Sequence, residues 1–449
     1  MPDVWVPDLT RVRGAKYVAI ADAIAAAVET GELRSGDRLP PQRDLAMRLG
    51  IDLTTVTKAY DQARARGLVG ARGRAGSFVL PQDAIAAGPP PRDTGMNMPP
   101  EVEGGTLLAS WERTASALLR APGAGGRLHY TPAGGREVDR AAGAEICARM
   151  GLASAPEQIV VTAGAQNALH AVAGAVLTHG DVVACGAHIY PGFLALARRM
   201  GLKLAPLERV EAAALEALCR TRAIAALYVV PTNDNPTTGT IGIAERAALA
   251  DVARRHGVRV IEDDAYGQLA AQPLPSLSSF VPELGWYIAS ASKTISPALR
   301  VAHVRAPTTR DALALAAEVH EVNVMAPPLN VALVTRWLED GSYDRLICET
   351  RAEAVERQAI AAESLPAHSF SAHPCGYHLW VPLPDGMDEA RVAADLRGEG
   401  VTAIPASIFA VDAGRRTSAL RVSLGGAIGR AGLRRGLPAL ERRLERAGE

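Results

Sequence analysis

Lysine is scarce in this sequence: the 449 residues include only four, at positions 16, 58, 203 and 293. Aromatic residues make up only 4% and the formal net charge is zero, so bulk charge does not indicate a polyanionic partner. The five cysteines form no CxxC pair, which is typical of reduced thiols in a cytosolic protein. No uncharged apolar run is long enough to span a membrane, and the first residues lack the apolar segment of a signal peptide. We therefore expect a soluble, cytoplasmic protein of two or three domains with no membrane partner.

Residues 1–80 have the pattern of three helices followed by a hairpin. Apolar residues at helical spacing predict helices in AKYVAIADAIAAAVETG, PQRDLAMRLG and LTTVTKAYDQARARG, and Asp52 or Thr54 would cap the third. The stretch LVGARGRAGSFVL predicts two short strands joined by a tip rich in glycine and arginine. Elements in this order predict a winged helix-turn-helix.

The rest of the chain divides into a linker and a large α/β region. Residues 81–103 are rich in proline and glycine and have no periodicity, which predicts a linker long enough to place the first domain against a neighbouring subunit. Over residues 104–449, short apolar runs alternate with alanine-rich helical stretches, which predicts a mostly parallel sheet covered by helices. We assign a large lobe to about 104–325 and a smaller α+β lobe to about 326–449.

Basic and small polar residues cluster in the second half of the first domain. Four arginines follow one another without an intervening acid: Arg64, Arg66, Arg72 and Arg74. Four polar or basic residues open the third helix: Thr54, Thr55, Thr57 and Lys58. A basic hairpin suits a phosphate backbone, and the start of a recognition helix presents polar side chains to base edges. The alternative is a solvated, charged hairpin on a small helical domain.

The stretch GDRLPPQRDLAMRLGIDLTTVTKAYDQARARGLVGARGRAGSFV resembles the winged helix-turn-helix of the GntR family of bacterial transcription regulators. The resemblance implies binding to a double-stranded DNA operator. It also implies that Arg43, at the start of the second helix, contacts the DNA backbone, and that Thr55 and Lys58 lie on the recognition helix. The family usually has an arginine immediately before the two threonines, whereas this chain has Leu53, so one DNA contact of the family differs here.

Lys293 becomes interpretable beside polar residues at the ends of predicted strands. Asn235 and Asp263 each lie at a strand end, and Tyr266 comes three residues after Asp263. Sheets of α/β proteins bind ligands at the carboxyl ends of their parallel strands. A carboxylate buried there needs a partner, and the N–H of a pyridinium ring would supply one, while Lys293 would form an imine with an aldehyde on the same ring. Asn235 and Tyr266 could donate hydrogen bonds to the phenolate oxygen of that ring.

Two stretches could hold a phosphate group. VTAGAQNALHAV places a glycine turn before a helix, and the first N–H groups of a helix bind anions. SASKTISPALR adds Ser290 and Arg300, the latter as a charge-assisted donor. Each residue alone has a structural alternative: Lys293 and Arg300 could be surface charges, and Asp263 could cap a neighbouring helix. The combination is more specific than its parts.

The order and spacing of these residues resemble the fold-type I, aspartate-aminotransferase-like enzymes over about residues 104–449. The resemblance implies pyridoxal 5′-phosphate as the cofactor. Lys293 would be the catalytic lysine that forms the Schiff base, and Asp263 would pair with the pyridine nitrogen. The other cofactor contacts implied within one subunit are Ala165, Gln166, Tyr190, Asn235, Tyr266, Ser290, Ser292 and Arg300.

The same resemblance assigns four residues around the cofactor and a substrate or effector. Tyr190 would stack on the face of the pyridine ring, and Tyr130 would reach the phosphate held by the partner subunit. Arg421 would bind an α-carboxylate as a bidentate fork. Asn97 lies where the N-terminal segment of the family borders the substrate.

A winged helix-turn-helix, a proline-rich linker and an aminotransferase-like domain, in this order, resemble the MocR subfamily of GntR regulators. The resemblance implies a homodimer with DNA-binding domains swapped between subunits. It implies a transcription regulator that senses pyridoxal phosphate, an amino acid or an amine through aldimine exchange at Lys293. Two alternatives remain open, namely a functional aminotransferase with an accessory DNA-binding domain and a cofactor-free remnant that serves only for dimerisation. The intact Lys293, Asp263 and Asn235 argue against the remnant.

Overall fold

The computed structural model describes residues 5–7, 15–34, 36–65, 68–71, 76–79, 95–365, 369–384, 386–412, 414 and 417–445. The chain divides into two units, residues 1–92 and 93–449. Each unit has a hydrophobic core of its own. Most of the predicted linker, residues 81–94, lies outside the described residues.

The first unit contains the three predicted helices and the hairpin. Its elements are α1 (Lys16–Glu29), α2 (Gln42–Leu49), α3 (Leu53–Ala65), β1 (Val69–Ala71) and β2 (Ser77–Val79). The backbone N–H of Thr54 donates to Oδ1 of Asp52 at 2.7 Å, so Asp52 caps α3. The buried Tyr60 donates to the carbonyl of Pro40 at 2.8 Å, which holds α3 against the residues that lead into α2. A winged helix-turn-helix results, as predicted.

The second unit is built on a seven-stranded sheet, which confirms the predicted α/β class. In chain order the strands are β3 (Ile159–Thr162), β4 (Val182–Gly186), β5 (Lys203–Leu207), β6 (Ala226–Val229), β7 (Arg259–Asp264), β8 (Gly285–Ser290) and β9 (Ala302–Arg305). Their order across the sheet is β3-β9-β8-β7-β6-β4-β5. The pairs from β8 to β5 are parallel, and β9 is antiparallel to both of its neighbours. The parallel strands therefore end together at one edge.

Helices connect the strands of this sheet and extend beyond it. They are α4 (Leu107–Arg120), α5 (Glu137–Arg149), α6 (Ala165–Val176), α7 (Pro191–Met200), α8 (Ala212–Thr221), α9 (Ile243–His256), α10 (Thr309–Asn323), α11 (Pro328–Glu339) and α12 (Ser342–Ser364). Among the described helices of the chain, none is both long and apolar enough to cross a membrane.

A smaller antiparallel sheet follows α12. It consists of β10 (Ser371–Ala372), β11 (His378–Pro382), β12 (Ala403–Pro405) and β13 (Ala419–Ser423), in the order β10-β11-β13-β12. Two helices accompany it, α13 (Glu389–Gly398) and α14 (Arg430–Glu445). Within this sheet Trp380 pairs with Arg421, and His378 pairs with Ser423. The register places His378 and Ser423 side by side.

A buried arginine fixes the loop that follows β6. Arg246 is 1% exposed and lies in the first turn of α9. Its guanidinium donates to the carbonyls of Ile241 (2.8 Å), Pro275 (2.7 Å) and Pro231 (3.0 Å), and to the hydroxyl of Thr232 (2.7 Å). Both ends of the loop between β6 and α9 are therefore held by one side chain.

We expect Arg246→Leu to lower the free energy of unfolding by about 3 kcal/mol or more, because it leaves several buried acceptors without a donor. Arg255→Leu is the matched control, since Arg255 lies on the same helix and its exposed side chain pairs with Glu216. That change should cost less than about 1 kcal/mol. Urea denaturation of the two variants measures the difference. Equal midpoints would show that the buried guanidinium does not stabilise this loop.

Candidate functional site

The predicted cofactor residues converge at the carboxyl edge of the parallel strands. Asp263 lies in β7, Asn235 follows β6, and Ser290 ends β8 with Lys293 three residues on. Arg421 comes from β13 of the smaller sheet. Parallel strands end on the same edge of a sheet, which is why residues far apart in sequence meet here.

Asp263 is buried and incompletely hydrogen-bonded. Its Oδ2 accepts from the hydroxyl of Tyr228 at 3.2 Å, while its Oδ1 has no hydrogen-bond partner among the described residues. Burial raises the pKa of Asp263 to about 6, and the neighbouring Asp264 also raises it, whereas Tyr228 and Lys293 lower it. An unpartnered carboxylate oxygen in this position can accept the N–H of a pyridinium ring.

Lys293 lies among cationic and anionic groups. Its Nζ donates to the backbone carbonyl of Asn97. Burial lowers the pKa of Lys293 to about 8, and the charges of Arg421 and Arg300 lower it further, while Asp263 opposes them. A lysine with a lowered pKa reaches its neutral, nucleophilic form near physiological pH.

Asn97 links the two sheets through its side chain. Its Nδ2 donates to the hydroxyl of Tyr266 at 3.0 Å and lies 3.2 Å from Nδ1 of His378. Its Oδ1 accepts from the hydroxyl of Ser423 at 3.0 Å. Burial raises the pKa of Tyr266 to about 12, so its hydroxyl keeps its proton at neutral pH. Asn97 therefore positions one of the residues predicted to bind the ring oxygen.

Arg421 already has partners in the structure. Its Nη1 donates to Oδ1 of Asn235 at 3.3 Å, and its Nη2 donates to the carbonyl of Gly95 at 2.6 Å. The guanidinium also lies 5.4 Å from the centre of the Phe409 ring. These contacts place a predicted carboxylate-binding group directly beside a predicted ring-binding group.

The turn before α6 brings the guanidinium of Arg300 close to a glycine. Gly164 has a φ of +82°, and a Cβ there would lie 2.8 Å from Nη2 of Arg300. That same nitrogen donates to the carbonyl of Ala163 at 2.8 Å. Helix α6 starts at Ala165, so the free N–H groups of its first turn lie at this turn.

Serine and glutamine side chains complete this region. The Oγ of Ser290 accepts from the backbone N–H of Ser292 at 3.2 Å. The Oγ of Ser292 and the Oε1 of Gln166 are buried and have no hydrogen-bond partner among the described residues. The unpartnered polar atoms, the glycine turn and Asp263 match the needs of pyridoxal phosphate, which carries a phosphate and a ring nitrogen. The residues present therefore fit this group.

The two predicted tyrosines differ in environment. Tyr190 precedes α7; burial and the charge of Asp263 raise its pKa, whereas the charge of Arg300 lowers it. The ring of Tyr190 and Oε1 of Gln166 both lie 2.3 Å from the position that a Cβ on Gly192 would take, so Tyr190 lies beside the turn that begins α6. Tyr130 is 82% exposed, so its side chain is not part of this buried cluster within one subunit.

We assign DNA contacts to seven residues: Arg43, Thr54, Thr55, Thr57, Lys58, Arg72 and Arg74. The structure describes the first five. Four of them are exposed or partly exposed at the surface of the first unit: Arg43, Thr54, Thr55 and Lys58. The hydroxyl of Thr54 donates to Oδ1 of Asp52. The hydroxyl of Thr57 instead donates to Oε1 of Gln42 and to the carbonyl of Leu53, both at 3.0 Å, which directs it into the contact between α2 and α3. Arg72 and Arg74 lie outside the described residues.

Sequence reasoning missed four members of the site: Tyr228, His378, Ser423 and Gly95. Tyr228 stacks on Phe193 with ring centres 3.8 Å apart and could have been noticed as a polar aromatic residue in an apolar strand. His378 and Ser423 lie on β11 and β13, where only the pairing of the two strands brings them together. No local signal indicates Gly95.

We expect the neutral fraction of Lys293 to rise through pH 8, because its pKa is lowered to about 8. Cyanate reacts with neutral amines, so carbamylation of Lys293, followed by peptide mass spectrometry, should have its midpoint near that pH. Asp263→Asn should lower the midpoint, because a negative charge that favours the protonated amine is lost. Asp251→Asn, an exposed carboxylate on α9, serves as the control. An unchanged midpoint in Asp263→Asn would contradict the interaction.

Comparison with known proteins assigns both units. Residues 16–79 match the model of the bacterial regulatory proteins of the gntR family, and residues 104–440 match that of aminotransferase class I and II. The chain is 28% identical to the uncharacterized HTH-type transcriptional regulator YdeF of Bacillus subtilis (strain 168), over 94% of this chain and 93% of that protein. It is 26% identical to the probable rhizopine catabolism regulatory protein MocR of Rhizobium meliloti, over 64% of each.

A solved structure shares the fold of the second unit. The α-aminoadipate aminotransferase LysN of Thermus thermophilus, complexed with N-(5′-phosphopyridoxyl)-L-leucine, superposes with a TM-score of 0.68 at 26% identity, over 79% of this chain and 93% of that chain. Together with the family matches, this confirms the predicted arrangement of a GntR segment before an aminotransferase-like domain of fold type I. Because the aminotransferase model spans well over half of its length, the chain belongs to the aminotransferase class I and II family and carries a gntR-family segment at its N-terminal side.

Proposed function

We propose that this protein is a DNA-binding transcription regulator that senses pyridoxal phosphate, an amino acid or an amine through its aminotransferase-like unit. One observation carries the proposal: the chain joins a winged helix-turn-helix to a site in which Asp263 and Arg421 are buried and Lys293 lies partly buried beside them. A regulator needs both a surface for DNA and a site for a signal, and each unit supplies one.

Pyridoxal 5′-phosphate is the cofactor of the second unit, as the sequence predicts. Membership of the aminotransferase class I and II family and the phosphopyridoxyl group in the LysN complex both indicate it. When bound, it supplies an aldehyde that Lys293 and an effector amine can take in turn, and a ring that withdraws electrons. The phosphate would lie at the turn of Gly164, beside Arg300 and Ser292.

Each residue of the site would have a separate role in binding the cofactor and the effector. Asp263 would accept a hydrogen bond from the protonated ring nitrogen through its unpartnered Oδ1. Tyr266, protonated at neutral pH, and Asn235 would donate hydrogen bonds to the ring oxygen. Lys293 can hold a proton or release it near pH 8, and Arg421 binds a carboxylate beside it. An amino acid, which carries both an amine and a carboxylate, satisfies this site better than a plain amine does.

An effector can change DNA affinity only if it binds one state of the protein more tightly than the other. The recognition surface would be the exposed side of α3, with Thr55 and Lys58, and the operator is double-stranded DNA. A homodimer with swapped DNA-binding domains would bring two such surfaces to one operator. The exposure of Tyr130, which would reach the partner's cofactor phosphate, supports the dimer.

The site also contains the residues that an aminotransferase needs, which favours a second function. Lys293 can transfer a proton, and Arg421 can orient an amino acid, which are the requirements of an aminotransferase. Sustained transfer of amino groups to a keto acid would favour this alternative over a regulator that performs only half-reactions.

We expect the purified protein to retain a pyridoxal phosphate chromophore after dialysis and Lys293→Ala to lose it. Lys203→Ala is the matched control, since Lys203 is an exposed lysine on β5. Absorbance spectra of the three proteins provide the measurement. A Lys293→Ala variant that retains the chromophore of the unmodified protein would contradict the assignment.

We expect binding to DNA from upstream of the protein's own gene to be salt-sensitive, sequence-selective and dependent on pyridoxal phosphate. Lys58→Ala should weaken it and reduce the slope of log affinity against log salt by about 1. Leu53→Arg, at a position 38% exposed, should raise both affinity and slope by a similar increment. Lys203→Ala removes a positive charge from the second unit and should change neither. Binding equal to that of random DNA, with and without the cofactor, would refute the regulator.

A further inference from the structure

One short segment holds both reactive groups of the site. Residues 95–99 are the first described residues of the predicted linker, and their contacts place them between the two sheets of the second unit. The carbonyl of Gly95 accepts from Nη2 of Arg421 at 2.6 Å, and the carbonyl of Asn97 accepts from Nζ of Lys293. Both Arg421, expected to bind an effector carboxylate, and Lys293, expected to bind the cofactor, therefore donate hydrogen bonds to this segment.

The side chain of Asn97 holds the segment in place through its hydrogen bonds. Nε2 of His378 lies 3.1 Å from the carbonyl of Asp234, an obligate acceptor, so this nitrogen carries the proton. Nδ1 of His378 is then an acceptor for Asn97, as its 3.2 Å separation from Nδ2 requires. With Ser423 donating to its Oδ1, the Asn97 amide is bonded on both ends. These hydrogen bonds give the segment one defined conformation beside the site.

We propose that the segment 95–99 is a built-in competitor for the effector, in which the Gly95 carbonyl occupies Arg421 until a carboxylate displaces it. The inference rests on the proposed function, because it concerns the same site. Displacement moves the part of the chain that leads to the DNA-binding unit. Carboxylate binding at Arg421 can therefore change the DNA affinity of that unit. We call this contact between Gly95 and Arg421 the latch.

Charge decides the competition at Arg421. A backbone carbonyl is neutral and accepts from one guanidinium nitrogen, whereas a carboxylate is charged and can accept from two, so the carboxylate forms the stronger bonds. An amine without a carboxylate has no such advantage over Gly95. The measured association constant for a carboxylate equals its intrinsic association constant multiplied by the fraction of molecules in which the latch is open. Weakening the latch must therefore tighten carboxylate binding.

Gly95→Ala is the sharpest test of the latch. Gly95 has a φ of +68°, and a Cβ there would lie 3.0 Å from Cδ1 of Ile404. Alanine is strained in this conformation, so the substitution shifts the segment away from Arg421 without altering any side chain of the site. Gly104→Ala is the matched control, because Gly104 has a φ of +69° and no atom within 4 Å of its Cβ position.

The probes are propionate, which has a carboxylate but no amine, and propylamine, which has the reverse. Calorimetric titration is run on the cofactor-loaded and the cofactor-free protein. We expect Gly95→Ala to bind propionate roughly five- to tenfold more tightly than the unmodified protein, from the cost of a left-handed alanine. Gly104→Ala should match the unmodified protein, and propylamine should not distinguish the three. The DNA affinity of Gly95→Ala without propionate should approach that of the unmodified protein saturated with it.

Other results overturn the latch. Equal propionate affinities in Gly95→Ala and the unmodified protein would do so, as would a lack of propionate binding in every protein. If Gly95→Ala does not fold, Ser423→Ala, which removes one bond to Asn97, should tighten propionate binding roughly two- to threefold. An unchanged affinity in that variant would count equally against the proposal. A protein that never holds pyridoxal phosphate refutes the proposed function, whereas the propionate titration of the cofactor-free protein still decides the latch.

Discussion

A carboxylate inside a protein must receive enough hydrogen bonds to replace those of water, and β7 buries three acids in succession: Glu262, Asp263 and Asp264, none more than 5% exposed. Alternation along the strand sends the outer two to one face and Asp263 to the other. Glu262 receives three hydrogen bonds from the backbone and side chain of the residues at 277–278, and Asp264 receives bonds from Tyr287 and the N–H of Gly267. Among the described residues, only the hydroxyl of Tyr228 donates a hydrogen bond to the side chain of Asp263. The missing donor is the constraint around which the site is arranged, since Oδ1 of Asp263 is buried without a donor among the described residues and a cationic ring would supply one.

The same burial couples Asp263 to Lys293. Low dielectric raises the pKa of the acid to about 6 and lowers that of the lysine to about 8, while their mutual attraction opposes both shifts. Between these two values both groups are charged, and each is one proton away from its neutral form. Arg421 and Arg300 add positive charge that makes proton loss from Lys293 easier. A site with this balance can hold an anionic cofactor and still release a neutral amine, which serves a sensor and an enzyme equally well.

The polar residues at strand ends were accessible to sequence reasoning because β6 and β8 are apolar runs followed by polar residues, and the apolar residues of β7 give way to acids. Two other strands of the large sheet lack such a pattern. β5 includes Pro206 and lies at the edge of the sheet, and β9 contains His303 and Arg305, both buried, so neither strand has a continuous apolar pattern. Asn97 contacts Tyr266 and His378, which lie 169 and 281 positions further along the chain. No local sequence pattern can indicate contacts over such separations. Thr57 illustrates the reverse: its position on α3 suggests exposure, but a bond to Gln42 in the preceding helix directs its hydroxyl inward.

The segment that lies on the site is held firmly at one end. Arg357, buried and paired with Glu353 at 2.7 Å, donates to the carbonyls of Leu424 and Ile428, both at 2.7 Å, and to that of Glu101 at 3.1 Å. A buried guanidinium that satisfies three carbonyls and an acid is costly to disturb, so residue 101 is tied to the residues that follow β13. In the proposed latch, residues 95–99 must then move on the N-terminal side of this anchor. There Gly95 and Asn97 bond to the side chains of the site, and the carbonyl of Pro99 accepts from the N–H of Gly426 at 3.1 Å. The proposed displacement would therefore act on the stretch of chain that leads to the winged helix-turn-helix.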